Sequence, residues 1–155
     1  MNPLIITAAI TGGETTKAQN PALPETPEEQ AIAARECVEA GASVIHLHVR
    51  DESGTPSQRL DHFRASVDAI RTACGAGPII QISTGGAIGA SMEDRIAPIV
   101  ELKPEMASLN VASMNFSDEV FMNTPADVRK LAGHMRDLGV TPEIDESFRS
   151  PYSAP

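Results

Sequence analysis

Aromatic side chains are nearly absent: the 155-residue chain has no tryptophan, one tyrosine and four phenylalanines. That removes the stacking platforms on which single-stranded nucleic acid is bound. A formal net charge of −9 repels a phosphate backbone, so nucleic acid is not an expected partner. Cysteine is scarce too. Cys37 and Cys74 both fall in segments of helical pattern, and their spacing fits neither a disulfide framework nor a zinc knuckle, which leaves ordinary thiols in or near the core. No apolar run reaches the roughly 18 residues that a membrane span needs. Met1 to Ala9 has no basic segment ahead of its apolar stretch, as an export signal would, and a cytoplasmic location is the expectation. What remains is a hydrophobic content of 41% in a chain long enough for one soluble domain with a real core.

The apolar residues come in short blocks. Leu4 to Ala9 (LIITAA) is rich in β-branched residues and reads as a strand buried on both faces, which favours a parallel sheet. Thr26-Pro27-Glu28-Glu29 opens a helix with a capping box, and Gly41 stops it. The alternation then repeats. Ser43 to Val49 predicts a strand, Leu60 to Ala73 a helix, and Pro78 to Ser83 a third strand. Ser91 with Asp94 starts a helix that Pro104 limits, Met106 to Asn110 predicts a fourth strand, and Thr124-Pro125 starts a helix ending at Gly139. Thr141 to Ile144 begins a fifth strand.

Strand and helix alternating in this way imply right-handed βαβ units around a parallel sheet. A doubly wound sheet of five strands would be complete at this length, whereas a (β/α)₈ barrel needs about 250 residues and would be half present. The loops favour the barrel. Polar or glycine-rich sequence follows every strand, at Thr11 to Glu14, His46 to Asp51, Ser83 to Gly86 and Asn110 to Asn115, as if four strand ends shared one mouth. The expectation is therefore an α/β chain forming half of a (β/α)₈ TIM barrel over residues 1–146, about four βα units plus strand five. Residues 147–155 (SFRSPYSAP) form a tail without helical periodicity, as in a truncated or frameshifted chain.

Residues two apart on a strand share a face, so His46 and His48 project together while Leu47 turns away into packing. Imidazole nitrogens suit zinc, and a catalytic zinc takes three protein ligands and keeps a fourth position open. A lone His-x-His is weak evidence by itself; here it sits at a strand's carboxyl end, beside Arg50 and Asp51 and on the rim with Glu14 and Ser83. His62 and His134 lie within helical patterns and read as solvated or helix-packing. Ser83, Thr84 and Gly86 offer hydroxyls and exposed amides to a carboxylate or phosphate oxygen, although a tight turn needing glycine explains them equally well. Ser108 and Asn110 share a face and are candidates for the same anion, or else for satisfied barrel packing. Glu143 and Asp145 alternate on the fifth strand, where both reach the mouth or form a structural ion pair. Glu14 is placed to orient a substrate amine or a histidine, though an isolated loop glutamate is more often simply solvated.

Five stretches in order carry a resemblance: LIITAAITGGETT (4–16), PALPETPEEQA (21–31), VIHLHVRDESGTPSQ (44–58), QISTGGAIG (81–89) and KPEMASLNVASMNF (103–116). Together they resemble the β-keto acid cleavage enzyme family, of the type that acts on 3-keto-5-aminohexanoate in lysine fermentation, over Met1 to about Glu143. The resemblance implies a (β/α)₈ barrel, a zinc cofactor and a homo-oligomer. It also implies a reaction between a β-keto acid and acetyl-CoA that yields acetoacetate and a new CoA ester. The family's metal-binding histidines fall on His46 and His48, its anion-binding serine on Ser83, and its strand-four polar positions on Ser108 and Asn110. Glu14 and Glu143, the candidate catalytic carboxylates, match positions near the substrate amine. The zinc would polarise the keto oxygen as a Lewis acid. The family's third ligand, its acid and an arginine come from the distal half of the barrel. Asp145 stands where the family usually has glutamate, and nothing after Glu146 matches.

From this a zinc-dependent transferase is expected of the parent protein, and little or no activity of this chain alone, because two histidines hold zinc weakly and strands one and five are left as edges. Two other classes stay open: an inactive half-barrel that serves as a packing or interaction module, and a metal-dependent hydrolase, for which later histidines at strand ends are missing.

Overall fold

A computed structural model of the chain describes residues 4–85, 89–116 and 119–145. Three of its four helices start where a hydroxyl and an acid stand three residues apart. At α1 (Pro27–Glu39) the Thr26 hydroxyl accepts from Glu29 N while the Glu29 carboxylate accepts from Thr26 N. Ser91 and Asp94 do the same for α3 (Met92–Leu102), and Thr124 and Asp127 for α4 (Pro125–Leu138). These caps occupy amides that a helix start otherwise leaves without partners. The remaining helix, α2 (Leu60–Cys74), begins without a side-chain cap and ends at Gly75. Lys103 stops α3 in the left-handed region, φ 45°, directly ahead of Pro104, and Gly139 stops α4 at φ 72°.

The sheet decides between the two architectures. Its strands are β1 (Thr7–Ala9), β2 (Val44–Leu47), β5 (Ile79–Ile82), β6 (Met106–Asn110) and β9 (Thr141–Asp145), all parallel and side by side in that order. Spatial order and chain order coincide. A doubly wound sheet reverses its strand order at a switch point; one that does not reverse keeps its right-handed crossovers, and so its helices, on one face. Successive helices accordingly touch, α1 with α2, α2 with α3 and α3 with α4. The sheet curls as half of a (β/α)₈ barrel does.

Strand alternation then separates the two faces. Ile45, Leu47, Ile80 and Ile82 point outward into one cluster with Ala34, Phe63 and Ile70; Ala107 and Leu109 point into a second with Ile96, Ile99, Leu131, Met135 and Val140. A fully buried side chain of this kind contributes about 1.5–3 kcal/mol, so the outer face holds the fold. His46, Gln81, Ser83 and Ser108, between those positions, take the concave face. Cys37 and Cys74 are free thiols packed against the first cluster, as expected. Among the described residues no helix is long and apolar enough to cross a membrane.

Two local expectations need correction, and one hairpin is added. Leu4 and Ile5 are 82% and 73% exposed and precede β1, which has a neighbour on one side only, so the first apolar run is not buried on both faces. The segment Ser43 to Val49 is not one strand. The chain leaves the sheet at His48 to form an antiparallel hairpin, β3 (Val49–Arg50) with β4 (Pro56–Ser57), whose turn is closed by Asp51 Oδ1 accepting from Ser53 N and Thr55 N and by Gly54 at φ 82°. A second hairpin, β7 (Met114–Phe116) with β8 (Glu119–Phe121), follows β6. Both hairpins stand at carboxyl ends of sheet strands, where they wall the mouth.

Candidate active site at the carboxyl ends of the strands

His46 ends inside the sheet and His48 just beyond it, yet their rings converge: Nε2 of one lies 3.2 Å from Nε2 of the other. Two nitrogens each at a normal bond length from one tetrahedral zinc lie roughly 3.3 Å apart, so the pair has the spacing of two ligands on a single ion. The outer side of the pair is fixed as well. Gln81, wholly buried on β5, places Oε1 2.6 Å from His46 Nδ1 and donates from Nε2 to Glu143 Oε2 at 2.5 Å. A carboxylate only accepts, so the amide nitrogen of Gln81 must face Glu143 and its oxygen must face His46. His46 therefore carries its proton on Nδ1 and turns the Nε2 lone pair toward His48, the arrangement a metal-binding imidazole requires. Burial, with the charges of His46 and Arg50, holds His48 far below the usual imidazole value, at about 3, so that ring is neutral at physiological pH. Among the described residues no third histidine, cysteine or carboxylate joins the pair in a metal-sized cluster.

The strand-three and strand-four positions meet each other. Thr84 donates from its amide to Ser108 Oγ at 3.0 Å and from its hydroxyl to Ser108 O at 2.8 Å, which occupies both of its donors. Ser108 keeps its own O–H to donate. Ser83 Oγ accepts from Gly85 N at 3.3 Å, and Gln58 holds the Ser83 carbonyl. Of this group Ser83 and Ser108 can donate a hydroxyl proton to an anion, whereas Thr84 braces the loop. Asn110 sits one pleat beyond Ser108, paired in register with Asp145. The Asp145 carboxyl is raised above its usual value by burial and by the neighbouring Glu143, with His46 opposing the shift. Gly86 lies outside the described residues, as does the tail from 147 onward.

A family model described as beta-keto acid cleavage enzyme matches residues 3–147. The chain belongs to the beta-keto acid cleavage enzyme family. Among curated relatives, the 3-keto-5-aminohexanoate cleavage enzymes of Acetoanaerobium sticklandii and Fusobacterium nucleatum are 50% and 49% identical over 146 residues, 94% of this chain and 53% of theirs. The 3-oxoadipate:acetyl-CoA acetyltransferase of Cupriavidus necator is 42% identical over 92% of the chain. The chain thus spans about half the length of the relatives it matches. Among solved structures, ObcA in its apo form superposes with a TM-score of 0.72 at 28% identity, over 83% of this chain and 31% of its own.

Within this member of the family, sequence reasoning missed three side chains that build the mouth and named a fourth, Arg50, without giving it a role. Gln81 is one; a buried glutamine amid PIIQIS was the available signal, since an amide in an apolar strand must find partners. Gln30, on α1 and wholly buried, donates to Thr11 Oγ1 at 2.9 Å and to the His48 carbonyl at 2.7 Å, tying helix, first loop and histidine strand together. Arg95, on α3, gives its three nitrogens to Thr84 O, Met122 O and Asn123 Oδ1, and lies over the Phe121 ring. Arg50 reaches back to the loop after β1, donating to Gly12 O at 2.9 Å and Thr15 O at 3.1 Å. Between those two carbonyls stands Glu14, exposed and without a hydrogen-bond partner among the described residues.

Proposed function

We propose that this chain supplies the amino-terminal half of the active site of a zinc-dependent enzyme that cleaves a 3-keto-5-aminohexanoate-like β-keto acid with acetyl-CoA, giving acetoacetate and a CoA ester. The observation that carries the reading is the convergence of the His46 and His48 Nε2 atoms at 3.2 Å, with Gln81 holding the far side of His46. A zinc bound there supplies a Lewis acid for the keto oxygen. The chain's own groups account for the rest of the substrate. Ser83 and Ser108 offer hydroxyls to its carboxylate, and Glu14 and Glu143 offer carboxylates to its ammonium group. The relatives support this division of labour: their named substrates include 3-keto-5-aminohexanoate, 3-oxoadipate and 3-dehydrocarnitine, which share a keto group at carbon 3 and differ at the far end.

Two imidazoles without a third ligand hold zinc weakly, so the isolated chain is expected to bind one zinc and to turn over little or no substrate. Zinc titration of the chain against the His46→Ala/His48→Ala double variant tests the site. Equal affinity in both proteins would remove the metal from these histidines. Rapid acetoacetate formation from acetyl-CoA and the keto acid by the isolated chain would show that the described half is sufficient.

A further inference from the structure

The loop from Thr11 to Thr15 crosses the mouth with little of its own to hold it there. Gly12 and Gly13 carry no side chains, and Gly12 adopts φ 73°, a conformation that costs other residues about 1 kcal/mol or more. The loop nonetheless lies against the metal-site histidine: a Cβ on Gly13 would stand 3.5 Å from His48 Cε1. What keeps it there comes from outside the loop. Gln30 pins its first residue through Thr11 Oγ1, which in turn donates to Pro24 O. Arg50 Nη2 then grips the carbonyls of Gly12 and Thr15, on either side of Glu14.

We propose that Arg50 is a positioning residue that seats the Gly12–Thr15 loop on the His48 ring and so sets where Glu14 leaves that loop; the role of Glu14 rests on the function proposed above. Arg50 is 6% exposed and forms no ion pair with a carboxylate among the described residues. Its Nε and Nη1 are buried with no protein partner among those residues, whereas Arg95 engages all three of its nitrogens. A buried charged donor left without a partner is destabilising, so a purely structural arginine is poorly served by this arrangement. The side-chain hydrogen bonds it does make go only to the loop that carries Glu14, while Glu25 acts on it through charge alone. The asymmetry also predicts what removal does. Thr15 is exposed and Gly12 partly so, which lets water satisfy the released carbonyls; the loop comes free while the sheet and helices stay folded.

The chain has four histidines, so their Cε1–H groups give a simple NMR spectrum with internal controls. In the wild-type chain a nuclear Overhauser contact is expected between Gly13 Hα and His48 Hε1. Arg50→Gln is expected to abolish that contact and shift the His48 signal, with the His62 and His134 signals unmoved. Arg50→Lys, which keeps a donor and a charge, is expected to retain part of the contact. A persisting Gly13–His48 contact in Arg50→Gln, or shifts of equal size at all four histidines, would overturn the proposal. Adding zinc separates the two readings. Zinc that perturbs neither His46 nor His48 removes the metal site, while the presence or loss of the Gly13–His48 contact still decides whether Arg50 seats the loop.

Discussion

Replacing Gln81 with leucine changes almost no volume and removes two hydrogen bonds at once. His46 Nδ1–H loses the oxygen 2.6 Å away, and the Glu143 carboxylate loses a donor at 2.5 Å. A donor left buried without a partner costs about 1–3 kcal/mol, and the imidazole recovers that only by turning or by moving its proton to Nε2. Either escape takes the lone pair away from the point it shares with His48. Loss of an outer partner to a metal-binding histidine weakens affinity by about 10–100-fold, which corresponds to about 1.4–2.8 kcal/mol; the two routes to the magnitude agree. The assay is competition for zinc against a chromophoric chelator, with circular dichroism to establish that Gln81→Leu keeps the wild-type helix content. Zinc affinity within twofold of wild type in a folded Gln81→Leu chain would refute the reasoning, since the buried amide would then orient nothing that binds metal.

The α1 cap gives a pH dependence of known sign. Bonds from Lys17 and from the amides of Glu25 and Thr26 hold Glu29 well below the usual carboxylate value, at about 2, so its contribution is present above about pH 4.5 and is lost as pH falls toward 2. Glu29 is partly exposed, and after screening the effect on urea unfolding is about 1 kcal/mol; Glu29→Gln should have lost that increment already at pH 7 and show a flatter acid profile, and an unchanged profile would count against the cap. Arg95→Met removes bonds to Thr84 O at 2.6 Å, Met122 O at 3.1 Å and Asn123 Oδ1 at 2.6 Å, leaving three acceptors around a buried position. A destabilisation of about 2–4 kcal/mol is expected from the urea midpoint, and a shift worth less than 1 kcal/mol would mean that water replaces the guanidinium there.

The sequence by itself determined the elements. Capping boxes at Thr26, Ser91 and Thr124, the glycine at 139 and the proline at 104 are local signals, because a helix end depends on a few adjacent residues, and α1, α3 and α4 lie where those signals put them. The His-x-His spacing likewise placed two imidazoles on one side of the chain. Tertiary structure alone decided whether the strands run in chain order or reverse at a switch point, since both windings use the same alternation of strand and helix and differ only in which neighbours pair. It also decided the environment of the histidines. Gln30 and Gln81 stand 18 and 35 residues from the partners they hold at His48 and His46, and Glu143 stands 62 residues from Gln81; no local pattern encodes a bond across that separation. Leu4, Ile5 and Ile144 make the converse point. Hydrophobicity is a property of the residue, but burial depends on what lies against it, and these three sit on or beside strands that have a neighbour on one side only.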